Sequence, residues 1–315
     1  MSFYEINLFF IFYYLLNHEL IYFGVGNFSF LQAFALSLAV VFLSQILSGI
    51  FLVSILDSRI EVAWTKLQFI IWHNWYFWLI RDFHMLNANL VMFLIYAHFF
   101  KGIASTLNPT RKLVWITGAF ILLIALGLCF TGYVLVFGQM SYWALIVILN
   151  LITIFPIFDT LILEGIYGGN YVNSTTTGRI LTMHFLMGLI ALFLLMLHLI
   201  SIHRSRPAGF NFLAADGRIA LGDVITKDLI FLIGFIIFVL LSGFDKLIHP
   251  DNYGCFSRLV TPAHIEPEVY FLYLFFLYTK ITFYKNSRMH FTFYDQYFCS
   301  HFYMFIFYVQ IIVYP

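Results

Sequence analysis

The chain has 315 residues, of which 62% are hydrophobic and 10% charged, with a mean hydropathy of +0.92 and a formal net charge of +1. A chain this apolar cannot give a soluble globule its polar surface, and so small a charge offers nothing to nucleic acid, so the composition is that of an integral membrane protein. Cys129, Cys255 and Cys299 share no ligand spacing, so neither a disulfide framework nor a zinc knuckle is indicated.

In chain order, residues 1–27 hold an apolar run too short to span a bilayer and lack the Arg- and Ser-rich amphipathic character of a transit peptide. They are expected to form an interfacial segment, and a chain this hydrophobic without an import signal is expected to be made in the organelle or bacterium that uses it. The first span is predicted over about residues 28–56, with Gly49 fourteen residues after Ala35. The second, about 78–102, carries His84 and His98; the third, about 113–137, carries Gly118 and Gly132, again fourteen apart. The fourth, about 179–203, carries His184 and His198, and further spans over about 229–247, 268–283 and 298–313 make seven in an all-α membrane protein. Lys101, Arg111 and Lys112 follow the second span; Arg204, Arg206, Arg218 and Lys227 follow the fourth; and Lys280, Lys285 and Arg288 follow the sixth. The connection between the third and fourth holds Asp159 and Glu164 and no basic residue before Arg179. This alternation places the N-terminus and the basic loops on the matrix or cytoplasmic side.

Histidine in an apolar span is costly and needs a partner. Fourteen helical residues advance about 21 Å and fall about 40° short of four full turns, so each histidine pair points to nearly one side at two depths. Two such helices facing each other give His84/His184 nearer the outer face and His98/His198 nearer the inner one. Two neutral imidazoles per tier, with no carboxylate or thiolate nearby, suit a haem whose two axial positions are both filled and whose task is electron transfer. Zinc would want four ligands per site. Gly49, Gly118 and Gly132 would admit a flat bulky group, or simply a neighbouring helix. Histidines acting as proton relays in a transporter are the competing reading.

Further motifs fall in order along the chain: GYV (Gly132 to Val134), GQMSYWA (Gly138 to Ala144), TKD (Thr226 to Asp228) and TPAHIEPEVY (Thr261 to Tyr270). With the histidines, they make the chain resemble cytochrome b, the di-haem quinol-oxidising membrane subunit of respiratory complex III, from about Asn27 to Tyr278. The resemblance implies two b-type haems, with the outer His84/His184 pair on the low-potential one and the inner His98/His198 pair on the high-potential one. Gly49, Gly118 and Gly132 would make room beside the haems, Ala35 standing where the family has a fourth glycine. Arg81 and Arg179 are placed to offset propionate charge at a membrane edge, as is Lys101, where the family usually has arginine. An inner quinone site at His203, Lys227 and Asp228 is implied, and an outer quinol site at Glu268 and Tyr270, walled in part by residues 138–159. Ubiquinol and ubiquinone would be the substrates. Implied partners are a Rieske iron–sulfur subunit, a cytochrome c1-type subunit, core and accessory subunits and membrane lipid, in a homodimeric complex of the mitochondrial inner membrane, multi-pass and organelle-encoded. Val136-Phe137, Ala144 and Val269 depart from the family pattern, and the family's last helix is expected to be absent. Domains are expected at residues 1–27 (interfacial), 28–210 (di-haem four-helix bundle) and 211–315 (C-terminal membrane domain with the quinol motif). The photosynthetic relative fits less well, because of the histidine spacing and the continuous chain. A di-haem anchor of another dehydrogenase would leave PEVY and TKD unexplained.

Overall fold

The structure is a computed structural model that describes residues 33–104, 111–152, 160–204, 221–241, 249–265 and 268–271. Eight α-helices run through these residues: α1 (Ala33–Val53), α2 (Ile60–His73), α3 (Trp75–Ala104), α4 (Lys112–Val134), α5 (Gln139–Ile152), α6 (Thr160–Tyr167), α7 (Ser174–Arg204) and α8 (Leu221–Leu241). There is no β-strand among the described residues; one antiparallel bridge pairs Gly138 with Cys255. The chain divides into two compact units, Met1–Pro262, which holds all eight helices, and Ala263–Pro315. In the second unit a 3-10 turn spans Val269–Phe271, with the Phe271 amide donating to the Glu268 carbonyl at 2.8 Å.

Helices α1, α3, α4 and α7 are long and apolar enough to cross a membrane. Their outward faces carry Leu47, Phe51, Leu123 and Phe193, each about three-fifths exposed, as a surface meant for lipid requires. α1 packs along α3, α4 along α7, and α8 against α1. Val41, Leu86, Leu90, Val91, Leu94 and Leu232 form the apolar seam of the first group. Within it, Asn87 is buried and donates to Ser44 Oγ at 2.8 Å, one of the polar bonds that fix register where hydrophobic burial is no guide.

Local signals explain the breaks. Asn74, in an extended conformation, ends α2, and its carbonyl starts α3 by accepting from Phe77 and Trp78. Asn173 caps α7: its Oδ1 accepts from the Thr175 amide at 2.7 Å while its own amide donates to Thr176 Oγ1 at 3.0 Å, a reciprocal box. Between α1 and α2 the Arg59 guanidinium, 2.8 Å from Asp57, holds that carboxyl well below the usual carboxylate range, with Lys66 adding at 3.1 Å.

Three expectations are revised in detail. α2, α5 and α6 were not anticipated. α8 begins at Leu221, so Thr226, Lys227 and Asp228 lie inside the helix rather than before it. The start of the expected sixth span, from Glu268, is the 3-10 turn. Residues 1–27 and 298–313 lie outside the described residues, as does most of 268–283.

Candidate functional site

α3 and α7 bring their histidines together in two tiers. The His84 and His184 ring centroids are 6.5 Å apart with planes at 66°, and those of His98 and His198 are 6.5 Å apart at 75°. A metal held by two trans imidazoles at about 2 Å, each ring centre about 1.2 Å beyond its nitrogen, puts centroids about 6.4 Å apart. The rings are too far apart to stack and at the right distance for one ion between them. Among the described residues no group of three or more His, Cys, Asp or Glu is poised for a metal. A pair of facing imidazoles suits an ion that brings its other ligands with it, as a haem does.

The protonation of the rings can be derived. Ser48 Oγ lies 2.8 Å from His84 Nδ1, Thr131 Oγ1 2.9 Å from His184 Nδ1, and Thr117 Oγ1 2.9 Å from His198 Nδ1. Each hydroxyl has one proton, and each donates it back along its own helix at 2.8 Å, Ser48 to the Ser44 carbonyl, Thr131 to that of Gly127 and Thr117 to that of Leu113. The hydroxyl oxygen is left to accept, so the imidazole carries its proton on Nδ1 and keeps a lone pair on Nε2.

Glycines stand against the Cε1–Nδ1 side of three of the four rings. A Cβ on Gly49 would stand 3.3 Å from His84 Cε1, one on Gly118 3.2 Å from His198 Cε1, and one on Gly132 2.9 Å from His184 Cε1. α1 and α4 thus act as backing plates, pressing bare backbone and one hydroxyl against each of these imidazoles. The glycine offsets were visible in the sequence; the hydroxyls were not singled out, although the signal was there in Ser48-Gly49, Thr117-Gly118 and Thr131-Gly132.

At the end of the bundle beyond His98 and His198, Lys101, Arg111, Lys227 and Asp228 form one electrostatic cluster. Lys227 Nζ is 3.5 Å from Asp228 Oδ1, and the Asp228 residue is only 4% exposed, so the carboxylate is largely shielded from bulk water. His203 is exposed in the last turn of α7. At the opposite end Arg81 bonds Asp82 at 2.5 Å, and Arg179 donates to the Gly165 carbonyl. Glu268 and Tyr270 belong to the second unit, where the Tyr270 and Phe271 rings lie 4.9 Å apart.

The GQMSYWA stretch clamps the 249–262 loop. Gln139 accepts from the Ser257 amide and donates to the Val260 carbonyl, both at 2.6 Å, and Trp143 Nε1 donates to the Ser257 carbonyl at 3.1 Å. The buried Asn252 accepts from the Ser141 amide at 2.9 Å and donates to the Tyr133 hydroxyl at 3.0 Å. A Cβ on Gly138 would fall 2.8 Å from the Asn252 carbonyl oxygen, so only glycine lets the loop approach. Just before it, Phe137 adopts φ +49, a conformation costing about 1–3 kcal/mol in a side-chain-bearing residue. Its ring is fully buried, a gain of about 1.5–3 kcal/mol that offsets the strain.

Four membrane-length helices carrying two tiers of facing imidazoles, three of the four rings backed by a glycine, define a helical membrane bundle with room for flat groups between its histidines. Comparison with known proteins agrees. The model of the family described as Cytochrome b/b6/petB matches residues 22–206. Cytochrome b of Chondrus crispus is 36% identical over 256 residues, covering 78% of this chain and 65% of the relative. That of Marchantia polymorpha is 34% identical over 265 residues (81% and 65%), and that of Rickettsia conorii 34% over 236 residues (72% and 59%). A chain of a solved hyperthermophilic respiratory Complex III superposes with a TM-score of 0.74 at 26% identity, covering 88% of this chain and 75% of that one. This chain belongs to the cytochrome b family, whose members bind b-type haem. It spans less than two thirds of the length of these three relatives, and Lys227, Asp228, Glu268 and Tyr270 lie beyond the family match.

Proposed function

We propose that this chain is the di-haem, quinone-reactive subunit of a quinol:cytochrome c oxidoreductase, oxidising ubiquinol at an outer site and reducing ubiquinone at an inner one, with net movement of protons across the membrane. The observation that carries the proposal is the pair of imidazole tiers at bis-ligand spacing with both tautomers of the outer tier fixed. His84 and His184 would hold one haem and His98 and His198 the other, and two b-type haems would supply one-electron carriers at two depths of the membrane. The chain's own residues do the rest. Gly49, Gly118 and Gly132 keep the rings seated; Arg81, Arg179 and Lys101 supply positive charge at the membrane edges; the apolar flanks exclude water from between the tiers.

At the inner end, Lys227 and Asp228 bind and protonate quinone together with His203, supported by the buried charge cluster with Lys101. At the outer end, Glu268 accepts a quinol proton and Tyr270 orients the ring, an assignment resting on the PEVY motif. The second electron of each quinol would leave through an iron–sulfur partner. A Rieske subunit, a cytochrome c1-type subunit and core and accessory subunits are the proposed partners, in a homodimer of the mitochondrial inner membrane. Residues 28–210 would form the di-haem bundle and 211–315 a C-terminal membrane domain with the quinol-site motif.

The deciding measurement is a reduced-minus-oxidised spectrum of the purified protein with haem quantified per chain. Two b-type haems per chain are expected; a protein that carries none overturns the proposal.

A further inference from the structure

Ser48, Thr117 and Thr131 each stand immediately before a glycine that touches a histidine ring: Ser48-Gly49 against His84, Thr117-Gly118 against His198 and Thr131-Gly132 against His184. The helix repeat fixes a fourth place for this dipeptide. α1 runs antiparallel to α3, with Ser48 at His84 and Ser44 at Asn87. Fourteen residues back along α1 from Ser48-Gly49, opposite His98, the sequence reads Phe34-Ala35. No hydroxyl is present there; the Phe34 ring packs edge-on against Phe231 with centroids 5.4 Å apart. His98 Nδ1 is buried and has no hydrogen-bond partner among the described residues. The outer tier therefore has two hydroxyl acceptors, the inner tier one.

An Nδ1–H that donates to an acceptor gives its imidazole more anionic character, making Nε2 a stronger donor to an oxidised metal. Stabilising the oxidised form lowers the reduction potential. We propose that Ser48, Thr131 and Thr117 are positioning residues that lower the potential of the haems their histidines ligate, and that the missing fourth hydroxyl, at Phe34, sets the inner haem above the outer one. This inference rests on the haem assignment above.

The test is a redox titration of the two b-type absorbance components in the purified complex, with electron paramagnetic resonance of the oxidised protein as a second signature of the axial ligands. Thr131→Val keeps the β-branched shape and removes the acceptor. The outer component should shift to higher potential while the inner one stays, and Thr131→Ser should restore the original value. Thr117→Val should raise the inner component alone, and Phe34→Thr, which supplies the missing hydroxyl, should lower it. Loss of the outer haem in Thr131→Val with retention in Thr131→Ser also supports the role, since only the hydroxyl distinguishes serine from an inert filler. Unchanged potentials and resonance in both valine variants, movement of the same component by both, or loss of haem in Thr131→Ser as well as Thr131→Val would overturn it. A parent protein that binds no haem at all refutes instead the assignment of function.

Discussion

Replacing Gly132 by alanine is the sharpest perturbation the bundle offers. The added methyl would sit 2.9 Å from His184 Cε1, closer than real Cβ contacts, and the ring cannot swing away without breaking its 2.9 Å bond from Nδ1 to Thr131. Overpacking of this kind costs about 1–3 kcal/mol, while alanine returns about 0.5–1 kcal/mol of helix propensity. The net loss is of order 1–2 kcal/mol, or roughly 5- to 30-fold in affinity at the outer site. At Gly118 and Gly49 the same methyl meets the ring at 3.2 and 3.3 Å, where a shift of a few tenths of an ångström suffices and the two terms nearly cancel. Haem content per chain and the rate of haem loss on warming should therefore rank Gly132→Ala well below Gly118→Ala and Gly49→Ala, with one of two haem signals weakened in the first. Full and equally tight occupancy in Gly132→Ala would refute the claim that this glycine seats the ligand ring.

His98→Leu is expected to remove one haem signal and leave the other, measured as haem per chain; retention of both would refute the pairing. Asp228→Asn should slow re-oxidation of the inner haem by added quinone in stopped-flow absorbance, because a buried carboxylate that delivers a proton is lost. Asn252→Leu strips the Ser141 amide and the Tyr133 hydroxyl of a buried partner, costing about 1–3 kcal/mol; it should appear as faster proteolysis within residues 249–262. Ala144 stands where the family resemblance places a glycine that admits strobilurin-type inhibitors. The unaltered protein is expected to resist that class in an inhibition titration, and Ala144→Gly to gain sensitivity with turnover retained.

The histidine offsets could be read from the sequence because the α-helical period is local: fourteen residues within one apolar run dictate a shared face whatever the neighbours are. The same holds for Gly118 and Gly132, for the long apolar spans, and for the alternation of basic loops, which answers to the membrane field rather than to packing. The roles of Ser48, Thr117 and Thr131 were not legible. Ser and Thr in membrane helices routinely bond their own i−4 carbonyl, and these three do so; their second bond exists only because α1 and α4 bring them against another helix. The fifth span was expected from about residue 229, just after TKD, whereas α8 runs through that motif and buries Asp228 beside Lys227. Gln139 and Asn252, more than a hundred residues apart, meet over one clamped loop, a long-range approach made possible by Gly138. The sequence by itself determined what repeats along one helix: the long apolar spans and the fourteen-residue offsets of the histidines and glycines. Tertiary structure alone decided what lies between helices, including which hydroxyl meets the rings of His84, His184 and His198, because such partners are brought together by no local pattern.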